Sequence, residues 1–177
     1  MTVRILVLAA ASALALSACA TTEADVAADA AVAAGDMTPT QRGAYVEMAA
    51  ASDLYEIQSG RLAAERGQSP AVRQFGQMLV EHHQSTTAQL AAAGSAAGTP
   101  PTPDLMPMQA QMIAELSAAS GAGFDEVFIR QQVQAHEMAL ALHSNYASNG
   151  DTAALRTVAS AAVPVIRQHL EQARQLR

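Results

Sequence analysis

Five histidines carry most of the chemistry this chain could do: His82, His83, His136, His143 and His169. Imidazole is the commonest metal ligand and titrates near neutrality, so the first question is which rings point inward. His169 is the best placed, because it lies mid-stripe among Ala162, Val165, Ile166, Ala173 and Leu176 at helical spacing. A ring buried there needs a partner: a side chain, a carbonyl, a water or a metal ion. His82 and His83 are adjacent in VEHHQST, and adjacent helical positions diverge by about 100°, so the two rings do not easily share one small site. Periodicity alone does not choose between them. His82 follows Phe75 and Leu79, whereas His83 follows Gly76 and Leu79 and precedes Leu90. His136 falls near Ile129, Val133 and Leu140 at helical spacings, with His143 towards the same broad side one to two turns later. Either is compatible with the interior, and His143 equally with solvent. Among Glu47, Asp53, Glu56, Glu81 and Glu137, Glu56 draws most interest, since Ala49, Ser52, Gly60 and Ala63 surround it with small side chains.

The elements that position these residues read as helices. The composition is half hydrophobic, largely from alanine, with three Phe, three Tyr and no Trp, which favours closely packed helices over a sheet sandwich. A first helix is predicted over about 40–66 and ends at Arg66-Gly67. Ser69-Pro70 then reads as an N-cap with proline at the first helical position, opening a second helix over about 70–93. GSAAGTPPTPDL, residues 94–105, forbids a continuous helix. A short helix over about 107–119 and a long one over about 124–148 follow, and Asn149-Gly150-Asp151 is a stop and restart with Asp151 as cap. The last helix runs to about 176, with a bend expected at Pro164. The expectation is an all-α, four-helix bundle with an additional short helix, and the long connection between the second and third long helices is compatible with a ferritin-like crossover.

The N-terminus reads as an address. Arg4 provides a short basic region and Ile5 to Leu16 an apolar one, marking residues 1–18 as a signal peptide. Leu16-Ser17-Ala18-Cys19 resembles the lipobox of bacterial lipoproteins, which implies that the only cysteine, Cys19, is lipidated. Ala20 and Thr21 follow it, without the Asp associated with inner-membrane retention, so the expected location is the periplasmic face of the outer membrane. Residues 19–38, acidic and Ala-rich, read as a flexible tether to a domain at 39–177. Cleavage would leave nine Arg, no Lys and sixteen acidic residues, a balance that argues against nucleic acid as a partner.

Three segments, AASDLYEIQSGRLAAERGQSPAVRQFGQMLVEHHQST, SGAGFDEVFIRQQVQAHEMALAL and YASNGDTAALRTVASAAVPVIRQHLEQA, together resemble the DUF4142 family over about residues 40–176. The resemblance implies an exported or outer-membrane protein with a ferritin-like bundle and no established general activity. It places the family's acidic residue of the first helix on Glu56, the acidic-His pair of the second on Glu81 and His82, the following histidine on His136, and the late Pro and His on Pro164 and His169. It thereby favours His82 over His83, which becomes an edge or surface residue, and suggests that Glu56, His82, His136 and His169 converge, one from each long helix.

One carboxylate and three imidazoles are adequate ligands for a single zinc, copper or iron ion. A di-iron centre is disfavoured, because no Glu-x-x-His occurs anywhere in the chain. Met78, Met108, Met112 and Met138 could add soft sulfur for copper, although methionine at helical spacing usually fills a core. There is no His-Glu-x-x-His, Gly-x-Ser-x-Gly or phosphate-binding glycine loop, so catalysis has little support. The leading expectation is a non-enzymatic, envelope-anchored lipoprotein with a structural, binding or stress-related role and an envelope protein as partner, its histidines forming a hydrogen-bonded core network. The alternative is a mononuclear divalent-metal protein using the Glu/His cluster.

Overall fold

The computed structural model describes residues 38–176. The signal peptide, Cys19 and the tether up to residue 37 lie outside the described residues. Five helices follow one another among the described residues: α1 (Arg42–Arg66), α2 (Pro70–Ala96), α3 (Pro107–Ala118), α4 (Ala122–Asn149) and α5 (Ala153–Gln175). The all-α bundle with one extra short helix is as the sequence suggests, and the helix ends differ by only a few residues. No helix among the described residues is long and apolar enough to cross a membrane.

Local chemistry sets the ends. Ser69 caps α2, its Oγ accepting the Val72 N–H at 3.1 Å, and Pro70 occupies a first-turn position whose N–H would be unused anyway. The same turn is held from outside by the Asp125 carboxylate, which accepts the N–H groups of Gln68 at 2.8 Å and Ser69 at 2.9 Å. Asp151 is not the cap of α5. Thr152 holds that position without a side-chain cap bond, while Asp151 accepts from the Arg42 N–H at 3.1 Å and the Tyr146 hydroxyl at 2.8 Å. Its own N–H donates to the Thr40 carbonyl at 3.0 Å. Tertiary partners at the start of α1 and the end of α4 thus outcompete the local cap. Pro164 interrupts nothing: α5 runs through it, and the residue is exposed.

α1 pairs with α2 and α4 with α5, and the two hairpins face each other with α1 against α4 and α2 against α5. α3 lies against α1 and α4. Arg66, ending α1, donates to the carbonyls of Ser117 at 3.0 Å and Ala119 at 2.6 Å, ending α3. The chain therefore leaves α2 at one end and returns along α3 to the other, so α2 and α4 run in the same direction. At the α1–α2 crossing, Gly60 and Gly76 let the backbones touch. A Cβ at Gly76 would stand 2.6 Å from the Gly60 carbonyl oxygen, and one at Gly60 would stand 2.8 Å from that of Gly76.

The core is not uniformly apolar. At the end where α1 begins, Tyr45, Val46, Leu90, Leu142, Tyr146 and Leu155 pack together. At the other end, Val72, Phe75, Leu79, Leu116, Phe124 and Phe128 do so. Between these positions along each long helix lie buried polar residues: Asp53, Glu56 and Ser59 on α1, His83 on α2, Gln132 and His136 on α4, and His169 on α5. Each helix thus presents apolar, polar and apolar segments in turn.

Candidate metal centre

His136 and His169 are both almost fully buried, at 1% exposure. His136 Nδ1 lies 2.9 Å from the Gln132 carbonyl one turn back, which makes Nδ1 the protonated nitrogen and leaves the Nε2 lone pair free. That Nε2 lies 3.4 Å from His169 Nδ1. Two nitrogens bound at about 2.0–2.1 Å to one tetrahedral ion stand about 3.4 Å apart, so this separation suits a shared ion as well as it suits a long hydrogen bond. His169 Nε2, on the other edge, is 2.8 Å from His82 Nδ1. That distance is short for two nitrogens on one tetrahedral ion and ordinary for a hydrogen bond.

The third inward ring is that of His83. Its Nδ1 lies 2.8 Å from Asp53 Oδ1, and Asp53 also accepts from the hydroxyls of Thr86 at 2.8 Å and Thr87 at 3.3 Å. A carboxylate at Nδ1 puts the proton there and turns the Nε2 lone pair the other way. Nε2 is buried and has no hydrogen-bond partner. One ligand nitrogen from each of His83, His136 and His169 lies within 4.8 Å of the others, a cluster drawn from α2, α4 and α5.

The reading of the doublet is therefore reversed. His83 is buried and His82 is exposed, reaching the centre only through its hydrogen bond to His169. The physical signal was present in the chain: Gly76, Leu79, His83, Thr86 and Leu90 repeat at intervals of three and four, the stripe that faces a neighbouring helix. Glu56 also stands differently from the expectation. It is buried at 2% exposure, but its Oε1 lies 3.7 Å from His136 Nδ1, the nitrogen that already faces the Gln132 carbonyl. It sits behind His136, and its Oε2 has no partner. Asp53, passed over in favour of Glu56, is the carboxylate that orients the buried His83 ring. Glu81 is exposed.

Electrostatics separate the rings. Burial, together with the neighbouring imidazoles of His136, His83 and His82, pushes His169 down to about 3, so it is neutral and competent to bind a cation at neutral pH. Burial opposes charge on His83 too, but the Asp53 hydrogen bond and the carboxylates of Glu56 and Asp53 outweigh it, and its pKa is raised. His143 is outside the cluster: its Nδ1 lies 3.1 Å from the Tyr45 hydroxyl, and burial takes its pKa down to about 4. A cavity of about 150 Å³ adjoins the cluster, lined by His82, His83, His136 and His169 and walled by Leu90, Val158 and Ile166. It offers room for a further ligand. No methionine among the described residues lines it; Met78 packs against the Phe75 and Leu79 end of the core instead.

The family model described as "Domain of unknown function (DUF4142)" matches residues 24–176. Among curated protein sequences nothing matches the chain. Solved structures share the fold. A DUF305 fragment from Deinococcus radiodurans superimposes with a TM-score of 0.66 at 19% identity, over 77% of this chain and 94% of that one. CopM in the Cu(II)-bound form gives 0.65 at 17% identity, over 76% and 94% respectively. CopM in the Cu(I)-bound form gives 0.62 at 17% identity, over 76% and 94%.

Proposed function

Since the chain belongs to the DUF4142 family, whose description assigns no activity, we propose a function from the site itself: the bundle binds a single divalent metal ion through His83, His136 and His169. The observation that carries this reading is the buried Nε2 of His83, on a ring that Asp53 orients through Nδ1, without a partner among the described residues and near two further imidazoles. Burying an unpaired acceptor costs about 1–3 kcal/mol, a cost that bound metal would remove. The metal-binding alternative is therefore preferred to the packing role expected first. Three imidazoles suit copper, zinc or iron. Copper is the first to test, because the fold is shared with CopM, whose structures are described as Cu(II)- and Cu(I)-bound. In this reading Asp53 fixes the His83 tautomer, the Gln132 carbonyl fixes that of His136, and His82 steadies His169. The role is binding and not turnover.

The setting completes the proposal. Residues 1–18 direct export, lipidated Cys19 anchors the chain at the periplasmic face of the outer membrane, and residues 19–38 tether the domain. The return along α3 supports a ferritin-like crossover bundle, and an envelope protein is the expected partner for delivery or receipt of the ion. The test is elemental analysis of protein produced in a metal-replete periplasm. One equivalent of metal is expected, lost in His83→Ala and His169→Ala and retained with weakened affinity in His82→Ala. Metal-free protein under those conditions, or equal loss from His82→Ala and His83→Ala, would sink the assignment.

A further inference from the structure

Five of the eight methionines, Met48, Met106, Met108, Met112 and Met138, line one small cavity where α3 meets α1 and α4. Its volume of about 30 Å³ exceeds the roughly 10–15 Å³ that holds one water molecule, room for a small ion and far too little for an organic ligand. The side chains are graded from solvent inward. Met108 is exposed, Met106 and Met138 are half-buried, and Met48 and Met112 are buried. Methionines that merely filled a core gap would be covered, and three of these five are not.

Two of the polar groups nearby are engaged: the Tyr55 hydroxyl donates to Gln131, and Gln109 Oε1 accepts the Met106 N–H. What the cavity offers is neutral, polarisable thioether sulfur. No carboxylate among the described residues lines it, so they offer nothing to balance a divalent charge. Ser52 and Ala139 line both this cavity and the histidine cavity, so the two are back to back across a wall of small side chains.

From these observations we propose that the methionine cavity is a second, separate metal site that takes one soft monovalent cation of the Cu(I) and Ag(I) class. Softness selects the ion, since thioethers favour such ions over zinc or iron. The exposed Met108 is its entrance, and the small wall at Ser52 and Ala139 places it beside the histidine centre without sharing a ligand. The proposal stands on its own residues and does not need the histidines to bind.

Silver(I) is the probe, added to the full chain carrying Cys19→Ser so that the thiol does not compete. Titration of protein with carbon-13-labelled methionine methyls is expected to move the signals of Met106, Met108, Met112 and Met138 at one equivalent. The volume-conserving variant M106L/M108L/M112L/M138L should bind silver(I) at least tenfold more weakly while holding Cu(II) as the parent does. The variant His83→Ala/His136→Ala/His169→Ala should keep the silver(I) site. Methyl signals that stay in place, unchanged silver(I) affinity in the leucine variant, or loss of all silver(I) binding in the histidine variant would each overturn the proposal. The methyl titration uses the native methionines, so it decides even where a variant fails to fold.

Discussion

The two apolar ends of the bundle and the polar layer between them are built from the same helices and differ in what burial asks of each side chain. At the end where α1 begins, Tyr45 stacks on Tyr146 with ring centroids 3.8 Å apart and planes 12° apart, and the polar tips turn to His143 and Asp151. At the far end, Phe124 and Phe128 lie nearly parallel, and Phe75 meets Phe128 edge-on. The phenylalanine end needs only contact area and shape, and the tyrosine end adds a polar partner for each hydroxyl. In the polar layer, burial removes water from rings and carboxylates that must then find partners, and three side-chain polar atoms there, His83 Nε2, Glu56 Oε2 and Gln132 Oε1, find none among the described residues. The ends stabilise the fold; the middle keeps unsatisfied capacity that a ligand can meet.

Truncation should break this contrast most visibly at an apolar end. Leu79 is fully buried, and Leu79→Ala should cost about 2–5 kcal/mol of unfolding free energy, read by denaturant melts, while metal stoichiometry in the folded fraction stays at one. Asp53→Asn is the converse change. It keeps the volume and removes the anion that directs the His83 proton, so metal affinity should fall by about 10–100-fold in a competition titration. If Asp53→Asn left affinity unchanged, His83 would not be a ligand directed by Asp53.

The smallest effect expected is in the acid limb of stability. His143 has its pKa lowered to about 4 by burial, against about 6.5 in the unfolded chain. Between those values the unfolded state binds a proton that the native state refuses, so stability rises with pH from about 4 to 6.5 and is flat above. His169, lowered to about 3, adds a slope of the same sign. His83, raised chiefly by the Asp53 hydrogen bond against burial, contributes in the opposite sense: its stabilisation is present at low pH and lost as pH rises through its folded pKa. His143→Gln should therefore flatten the acid limb of melting temperature against pH only in part. An acid limb identical to that of the parent would show that His143 is solvated in the folded protein.

Much of the scaffold was legible in the chain because helix formation depends on local chemistry. The Ser69-Pro70 start, the break at 94–105 and the Asn149-Gly150 stop are signals within a few residues, and the helices follow them, α2 running only to Ala96. Asp151 shows the limit: its local role as a cap was plausible, but partners from α1 and α4 were better. His136 and His169 could be placed inward or near the interior from their stripes. The choice between His82 and His83 turned on the stripe from Gly76 to Leu90, and the family resemblance pointed to the wrong neighbour for the buried position.

By itself, the sequence determined that this is a helical chain with inward-facing imidazoles, because amphipathic period, caps and breakers are properties of neighbouring residues. Only the tertiary structure decided which imidazoles meet. That depends on the close α1–α2 approach at Gly60 and Gly76 and on the return along α3, which set Asp53 against His83 and bring α2, α4 and α5 together at one level. Rings more than thirty residues apart in the chain share a site through packing distances that no local pattern encodes.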